Sequence, residues 1–519
     1  MKIQLSALLL LALMVVTLNA NSQVKTDYQK IGDTLYENKD YKSAIENYTK
    51  GVNATQHNKI KLAVLLDKRA QAKIDLELYK EAIKDETAAI LADPNFGDAY
   101  WNRGIAYADN EEYQFAIDDY TKAMLFNKDS KEHLSLLMDN RGVNERKLKH
   151  YKKAIDDHTQ AIILDNKNGD AYWHRGMAYH SNGDHQLAID DYTMAMIYNQ
   201  DDAEDLATLY DNRGENKRLL KQYREAVNDF NMAIRLNPKN GNFYWHRGLA
   251  CQNNTDYQLA INDFNMAIPY YQDDKSEQAI LYNNLAINEM ALHQPQKALD
   301  YVSKAIELNQ QNGYFYWSRG NIYSQVGESK QAIDDFTKTM DFYKDNKMIL
   351  SALHSECATN LYILNQDQQV IDECNIAITF NPKSTFPYFT RGKVYLKRIV
   401  NKEKAIQDFN KVIELDTSKG TVSYIFSQFY IGNTDLAMQK LQEQVLKTVN
   451  ADDVLNHYYN IACMFSIMNK PDEANVYLKK AIDSGYSKKF AANDEDFDNI
   501  RKTPDYIALM SDAATKQNR

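Results

Sequence analysis

The stretch NRGIAYADNEEYQFAIDDYTKAM, residues 102–124, decides the fold of this 519-residue chain. It places Gly104 twelve residues before Ala116, and Tyr120 follows four residues after the alanine. Small residues that face each other on two helices let the helix axes approach closely. The stretch therefore predicts a hairpin of two antiparallel helices.

The same small residue recurs along the chain at spacings that alternate between 38 and 34 residues. Its positions are Gly32, Ala70, Gly104, Gly142, Gly176, Gly214, Gly248, Ala286, Gly320, Ala358 and Gly392. The full period is 72 residues, because GDAYWNRGIAY at 97–107 returns as GDAYWHRGMAY at 169–179. Self-similarity at a fixed period predicts an array of stacked hairpins.

The second hairpin of each 72-residue unit carries four extra residues before its small position, about one helical turn. The residues that stand twelve positions before it are all preferred helix N-caps. They are Asn58, Ser130, Asp202, Asp274 and Asn346. We therefore expect every second hairpin to begin with a helix that is one turn longer.

These residues resemble the tetratricopeptide repeat, a 34-residue helix–turn–helix unit. Gly104 matches repeat position 8, Ala116 matches position 20 and Tyr120 matches position 24, while Pro94, Pro238 and Pro382 match position 32. The resemblance implies an all-α fold, a right-handed α–α superhelix of about 12–13 hairpins arranged in 72-residue double repeats.

The first 22 residues are predicted to be a signal peptide. Lys2 precedes an apolar run, Leu5 to Leu18, that is too short to span a membrane, and Ala20 and Ser22 suit cleavage. An uncleaved N-terminal anchor is the alternative. No cysteine occurs in this region, which excludes a bacterial lipoprotein anchor. We expect an exported bacterial-type protein, periplasmic or secreted, with no integral membrane segment after cleavage.

The predicted domains follow the repeats. The array occupies 23–419, a degenerate repeat 420–454, a further repeat 455–488 and a C-terminal capping helix 489–519. Thr503 and Pro504 suit the start of that helix. Its residues Tyr506, Ile507, Leu509 and Met510 are expected to cover the apolar end of the last hairpin.

Composition and motifs exclude several functions. The net charge of −10 without a basic tail disfavours nucleic acid as the main partner. The chain has no GxxxxGK[ST], HExxH or GxSxG motif, so we expect no enzyme and no cofactor. The eleven histidines show no helical ligand pair, and no metal site is predicted. Cys357 and Cys374 fall at facing positions, which leaves a disulfide or two buried thiols open.

Arginine at repeat position 7 and aspartate at position 23 occur together and are lost together in most repeats. Joint occurrence predicts contact between the two helices of a hairpin, through a bidentate pair. The representative pairs are Arg103 with Asp119, Arg175 with Asp191, and Arg213 with Asp229. A row of arginines that binds anions is the alternative.

In the tetratricopeptide family, the first helices line a concave groove that commonly binds extended peptides. Position 6 on these helices carries amides that resemble the asparagine ladder in the superhelix of O-GlcNAc transferase. They are Asn102, Asn140, Asn212 and Asn284. Such amides can grip a peptide backbone without reading its sequence. Solvation of these side chains, without a ligand, is the alternative.

Position 5 carries an aromatic row with 72-residue spacing, namely Trp101, Trp173, Trp245, Trp317 and Phe389. Each ring either packs against the longer helix of the next hairpin or forms a rung of a partly exposed ladder. We expect Trp173 and Trp245 to be partly accessible on the concave side. The row and the amides predict a non-catalytic scaffold that binds a protein or peptide segment. A carbohydrate- or cell-wall-binding module that holds a glycan in the same groove is the alternative.

Overall fold

The computed structural model describes residues 27–55, 57–199, 202–447, 451–486 and 488–511. The predicted signal peptide lies outside these residues. Every regular element in the described ranges is a helix. The chain divides into unit 1, Met1–Met266, and unit 2, Ala267–Arg519, so the array predicted as one domain at 23–419 falls into two compact bodies. The boundary lies where the last helix of unit 1 gives way to a 3-10 turn that contains Pro269.

Unit 1 consists of seven hairpins. Their helices are α1 (Tyr28–Glu37), α2 (Tyr41–Ala54), α3 (Lys59–Ile74), α4 (Tyr79–Ala92), α5 (Gly97–Asp109), α6 (Tyr113–Phe126), α7 (Lys131–Lys147), α8 (Tyr151–Leu164), α9 (Gly169–Asn182), α10 (His185–Tyr198), α11 (Ala203–Leu219), α12 (Tyr223–Leu236), α13 (Gly241–Asn253) and α14 (Tyr257–Ala267). Odd-numbered helices are the first helices of their hairpins, and even-numbered helices are the second.

Unit 2 continues the pattern after the 3-10 turn Ile268–Tyr271. Its helices are α15 (Lys275–Ala291), α16 (Pro295–Leu308), α17 (Gly313–Val326), α18 (Ser329–Phe342), α19 (Lys347–Ile363), α20 (Asp367–Phe380), α21 (Thr385–Lys397), α22 (Lys402–Leu415), α23 (Val422–Tyr430), α24 (Thr434–Lys447), α25 (Ala451–Ile467), α26 (Pro471–Asp483), α27 (Lys488–Asn493) and α28 (Pro504–Ser511). A second 3-10 turn, Glu495–Phe497, lies between α27 and α28.

The predicted alternation of helix length is confirmed. The long first helices have 16 or 17 residues, and the short ones between them have 13 or 14. Each long helix is capped by the predicted residue; for example, Ser130 accepts a hydrogen bond from the His133 amide at 3.2 Å. These side chains satisfy backbone donors that the first turn leaves unpaired.

A close fit between one residue of each helix holds the hairpins together. Where the small position is glycine, the facing residue is an aromatic ring or a histidine, as with Gly104 and Tyr120. A Cβ atom on Gly104 would lie 2.7 Å from the Tyr120 ring. Where the small position is alanine, as at Ala286, the facing residue is not aromatic: Val302 shares its buried cluster. Backbone and ring therefore approach closely only where the Cβ is absent.

The C-terminal helix packs as a lid, with one exception. Tyr506 is buried in the core of the last hairpins, and Leu509 and Met510 pack against that core. Ile507, predicted to join them, is 54% exposed, because it lies on the opposite side of this short helix. The degenerate repeat at 420–454 begins with α23, a first helix of only nine residues. Cys357 and Cys374 are both buried free thiols.

Candidate functional site on the first-helix face

The first helices of neighbouring hairpins contact one another within each unit. In unit 1 the touching pairs are α3 with α5, α7 with α9, and α11 with α13. In unit 2 they are α15 with α17, α19 with α21, and α21 with α23. We call the surface that these helices form the first-helix face.

The tryptophan row lies on the short first helices, where each indole is partly buried and partly exposed. Trp101 packs with Leu137 of α7, and its ring centroid lies 5.6 Å from that of His133 on the same helix. Trp173 packs in the same way with Leu209 of α11. Both alternatives from the sequence therefore hold in part: each ring contacts the longer helix that follows and keeps an accessible portion.

The indole N–H groups of Trp101 and Trp173 are buried and have no hydrogen-bond partner among the described residues. The exposed portion of these two side chains is therefore apolar ring, which suits contact with apolar or flat groups. In unit 2, Trp317 packs with Leu353 of α19. Phe389 ends the row inside an aromatic cluster, with ring centroids 6.2 Å from Phe409 and 6.4 Å from Phe426.

The amide row behaves in two ways. Asn102 donates to the Asp67 carboxylate at 2.7 Å, so its amide is already engaged within the protein. Asn140, Asn212 and Asn284 lie on long first helices and are partly exposed. Their backbone carbonyl groups each accept a hydrogen bond from an asparagine one turn later, at 2.8 Å.

Sequence reasoning missed a polar ladder beneath this face. Asp139 accepts from His174 at 2.8 Å, and Asp211 accepts from His246 at 2.8 Å, in the same arrangement as Asp67 and Asn102. Each rung joins a long first helix to the short first helix 35 residues later. The 72-residue recurrence of aspartate at 67, 139 and 211 was the signal that could have revealed it.

Asp139 binds a second histidine, His158, at 2.7 Å. Burial tends to raise the pKa of Asp139, but the hydrogen bonds from His158 and His174 outweigh it and hold that pKa well below its usual range. Burial lowers the pKa of His158, whereas the bond to Asp139 overcomes burial and raises the pKa of His174. The pair therefore consists of a charged Asp139 that favours the protonated form of His174.

Two groups of side chains converge closely enough to hold a metal ion. They are Asp139 with His158 and His174, and Cys463 with Asp494 and Asp496, each with ligand atoms within 4.8 Å of one another. In the first group both histidines already hydrogen-bond to the carboxylate, and in the second Lys397 pairs with Asp496. Sequence spacing did not bring either group together, because their members come from different helices.

A cavity of about 140 Å³ opens on the first-helix face of unit 1. Its lining includes Met177 of α9, Asn212 and Glu215 of α11, and His246 of α13. Asn212 is thus the predicted groove amide that borders open space. The charged and amide groups around this cavity can hydrogen-bond to a polar backbone.

The recurrent arginines and aspartates contact each other in bidentate geometry. Arg103 donates to Asp119 at 2.6 and 2.9 Å, Arg175 donates to Asp191 at 2.7 Å twice, and Arg213 donates to Asp229 at 2.9 and 2.7 Å. A third bond reaches the preceding hairpin, such as Arg103 to Thr87 at 3.1 Å. The aspartates are buried, so these arginines tie hairpins together and have little capacity left for an external anion.

Comparison with known proteins identifies the repeat. A family model described as "Tetratricopeptide repeat" matches residues 68–130, and a second with the same description matches 28–58 and 169–196. The chain is a tetratricopeptide repeat protein. Its hairpins outside the matched ranges keep the same spacing and the same packing of small residues.

Several relatives share these repeats. Human tetratricopeptide repeat protein 6 is 28% identical over 305 residues, which cover 52% of this chain and 58% of that protein. A DnaJ homolog subfamily C member 7 homolog from Dictyostelium discoideum is 31% identical over 104 residues, 20% of this chain and 19% of that protein. The chain therefore spans less than two thirds of the length of either relative.

Solved structures with tetratricopeptide repeats are also similar. Yeast Tom70 aligns over 87% of this chain and 98% of its own, at 16% identity and a TM-score of 0.40. YrrB, described as a TPR protein with an unusual peptide-binding site, aligns over 40% of this chain and 96% of its own, at 19% identity and a TM-score of 0.31. Within the described ranges of this tetratricopeptide repeat protein, every helix is too short or too polar to span a bilayer.

Proposed function

We propose that this protein is a non-catalytic scaffold that binds an extended protein segment on the first-helix face of unit 1, outside the cytoplasm. The observation that carries the proposal is the row of Trp101, Trp173 and Trp245, whose partly exposed indoles alternate with partly exposed amides. Aromatic anchors beside hydrogen-bonding groups are typical of peptide-binding surfaces. Export rests on the predicted signal peptide at 1–22.

The chemistry of the face supports binding and not catalysis. Asp67, Asp139 and Asp211 are buried and bonded to the polar groups of the next first helix. A catalytic carboxylate must instead be free to reach a substrate proton. Groups that are committed to one another serve to fix the spacing between helices.

A glycan is the second candidate ligand. Flat apolar rings flanked by amide and carboxylate groups also suit the stacking of a sugar ring and hydrogen bonds to its hydroxyl groups. The cavity bordered by Asn212 and Glu215 supplies both kinds of polar group.

The test uses the chain 23–519 and two libraries, a phage-displayed collection of random peptides and a glycan array. We expect selection of peptides with apolar or basic residues. Changing Trp173→Ala together with Trp245→Ala should weaken the selected peptide at least tenfold, about 1.4 kcal/mol. The matched control is Phe115→Ala with Leu187→Ala, which removes exposed apolar side chains from second helices.

Thermal melting checks that each variant is folded. Since the indoles also pack against neighbouring helices, Asn140→Ala with Asn212→Ala provides a second variant that leaves this packing intact. Unchanged affinity in both folded variants would refute the proposal. Binding to the glycan array alone would establish the carbohydrate alternative.

A further inference from the structure

An acidic segment near the C-terminus, residues 494–498 with the sequence DEDFD, lies on the first-helix face of unit 2. Glu495 accepts a hydrogen bond from the Tyr362 hydroxyl of α19 and pairs with Arg398, just after α21, at 3.3 Å. Asp496 pairs with Lys397 of α21. Asp494 accepts from Tyr459 of α25 at 2.6 Å. The segment thus contacts or adjoins three first helices.

An aromatic side chain anchors the segment. Phe497 is fully buried, and its ring meets the Tyr459 ring edge-on with centroids 5.5 Å apart. Asp496 is buried as well. Carboxylates that pair with cations beside a buried aromatic ring are the contacts by which a bound peptide gains affinity and orientation.

The cationic side of this surface is held in place by its own contacts. The Arg398 guanidinium lies 3.7 Å from the centroid of the Tyr362 ring and donates to Asp367 at 2.9 Å. Lys393 lies over the same ring at 5.1 Å. A guanidinium fixed by stacking and hydrogen bonds loses less entropy when it binds a carboxylate.

The segment leaves room beside it. A cavity of about 510 Å³ is lined by Tyr362, Lys393, Arg398, Tyr486 and Glu495, among other residues. The four carboxylates of the segment also repel one another. Burial, and then the charges of Asp496 and Asp498, raise the pKa of Glu495 to about 7. Both features indicate that the internal contacts do not exhaust the binding capacity of this surface.

Capping of the last hairpin does not explain these contacts. A solenoid needs a lid only over its final hairpin, and α28 supplies one by burying Tyr506 in the terminal core. Tyr362 and Glu495 are separated by 133 residues, and α19 belongs to the fourth-last hairpin of the array. The acidic segment therefore extends back along the face in the way a bound peptide would.

We propose that residues 494–498 are an internal ligand, and that the first-helix face of unit 2 binds an acidic segment with an aromatic residue from a partner protein. The internal segment must leave before the partner binds, so the chain is autoinhibited at this face. This inference rests on the proposed function, because it assumes that a first-helix face binds extended segments.

The probe is a fluorescent peptide with the sequence of residues 491–500, AANDEDFDNI. In the full chain, Glu495→Lys with Asp496→Lys turns the segment against Lys397 and Arg398 and should release it. We expect this variant to bind the probe at least tenfold more tightly than the unmodified chain. Adding Arg398→Glu should reverse the gain, whereas adding Lys402→Glu, at an exposed site on α22, should not.

Equal probe binding by the released variant and the unmodified chain would overturn the inference. So would a dimer of the released variant on size-exclusion chromatography, since the surface would then serve a second copy. If the double variant does not fold, Tyr362→Phe removes one hydrogen bond to Glu495 without changing charge. It should still raise probe affinity severalfold, and no increase would contradict the proposal. Trp173→Ala with Trp245→Ala alters unit 1 and tests the proposed function separately.

Discussion

At the scale of single residues, Glu86 occupies a position that holds a ring in most hairpins. It is fully buried, and its carboxylate oxygens have no hydrogen-bond partner within the described part of the chain. Burial, and then the charges of Asp67 and Asp85, raise the pKa of Glu86 well above its usual value. Burial also raises the pKa of the neighbouring Asp67 to about 6. These carboxyl groups therefore favour the protonated state in the folded chain.

The sign of the pH effect follows from these raised pKa values. The stability contributed by the protonated pair is fully present below the ordinary values of 3.8 and 4.5, where the unfolded chain also holds both protons. It is lost as the pH rises through about 6, because the unfolded chain ionises more readily. Each unit of pKa difference corresponds to about 1.4 kcal/mol.

Changing Glu86→Gln should therefore stabilise unit 1 at pH 8 by ~2 kcal/mol and flatten its stability between pH 5 and pH 8. An amide of the same shape needs no proton to remain neutral. Urea denaturation of the full chain across this pH range measures the effect. Glu81→Gln, at an exposed site on the same helix, is the control and should change little. A destabilised Glu86→Gln variant at pH 8 would contradict the expectation.

At the scale of the hairpin, the fit between glycine and a ring sets how closely two helices approach. Gly104 faces Tyr120, and Gly320 faces Phe336, with ring atoms 2.7 Å from the place of the missing Cβ. The ring also fills the space that a smaller residue would leave empty. Neither residue can change alone without a clash or a cavity.

Gly104→Ala should destabilise its hairpin by about 1–3 kcal/mol, because the new methyl group overlaps the Tyr120 ring. Tyr120→Val, which copies the pairing of Ala286 with Val302, should make the Gly104→Ala change nearly neutral. Amide hydrogen exchange in α5 and α6 measures each variant and the pair. Additive effects of the two changes would show that the residues are not coupled. Ala286→Gly, where no ring faces the backbone, serves as the control for helix propensity.

At the scale of the whole molecule, periodicity made the fold predictable from the sequence. The 72-residue period gave the helix pattern, the alternating lengths and the N-caps, because each depends on residues close together in the chain. The polar ladder was harder to predict, since Asp139 and His174 are 35 residues apart and meet only after two hairpins stack. The contact of Glu495 with Tyr362 could not be predicted, because nothing periodic relates residues 133 positions apart.

Deletion of residues 169–240, one full period, should leave a folded chain with an unchanged melting temperature. Asn168 would then precede Gly241, which restores an asparagine N-cap, and Asp139 would face His246 in place of His174. Deletion of 169–202, a single hairpin, should lower the melting temperature, because Asp211 would replace the packed indole of Trp173. Circular dichroism melting compares the two. Equal loss in both would show that a single hairpin is the interchangeable module.

The alternation of long and short first helices also constrains how this gene can change its length. Unequal crossover between repeated segments adds or removes residues in multiples of the repeat. A change of 72 residues keeps every long helix beside a short one, whereas a change of 34 or 38 residues brings two of one kind together. Homologous chains should therefore differ in length by pairs of hairpins, and the number of indole rungs should rise or fall by one with each pair.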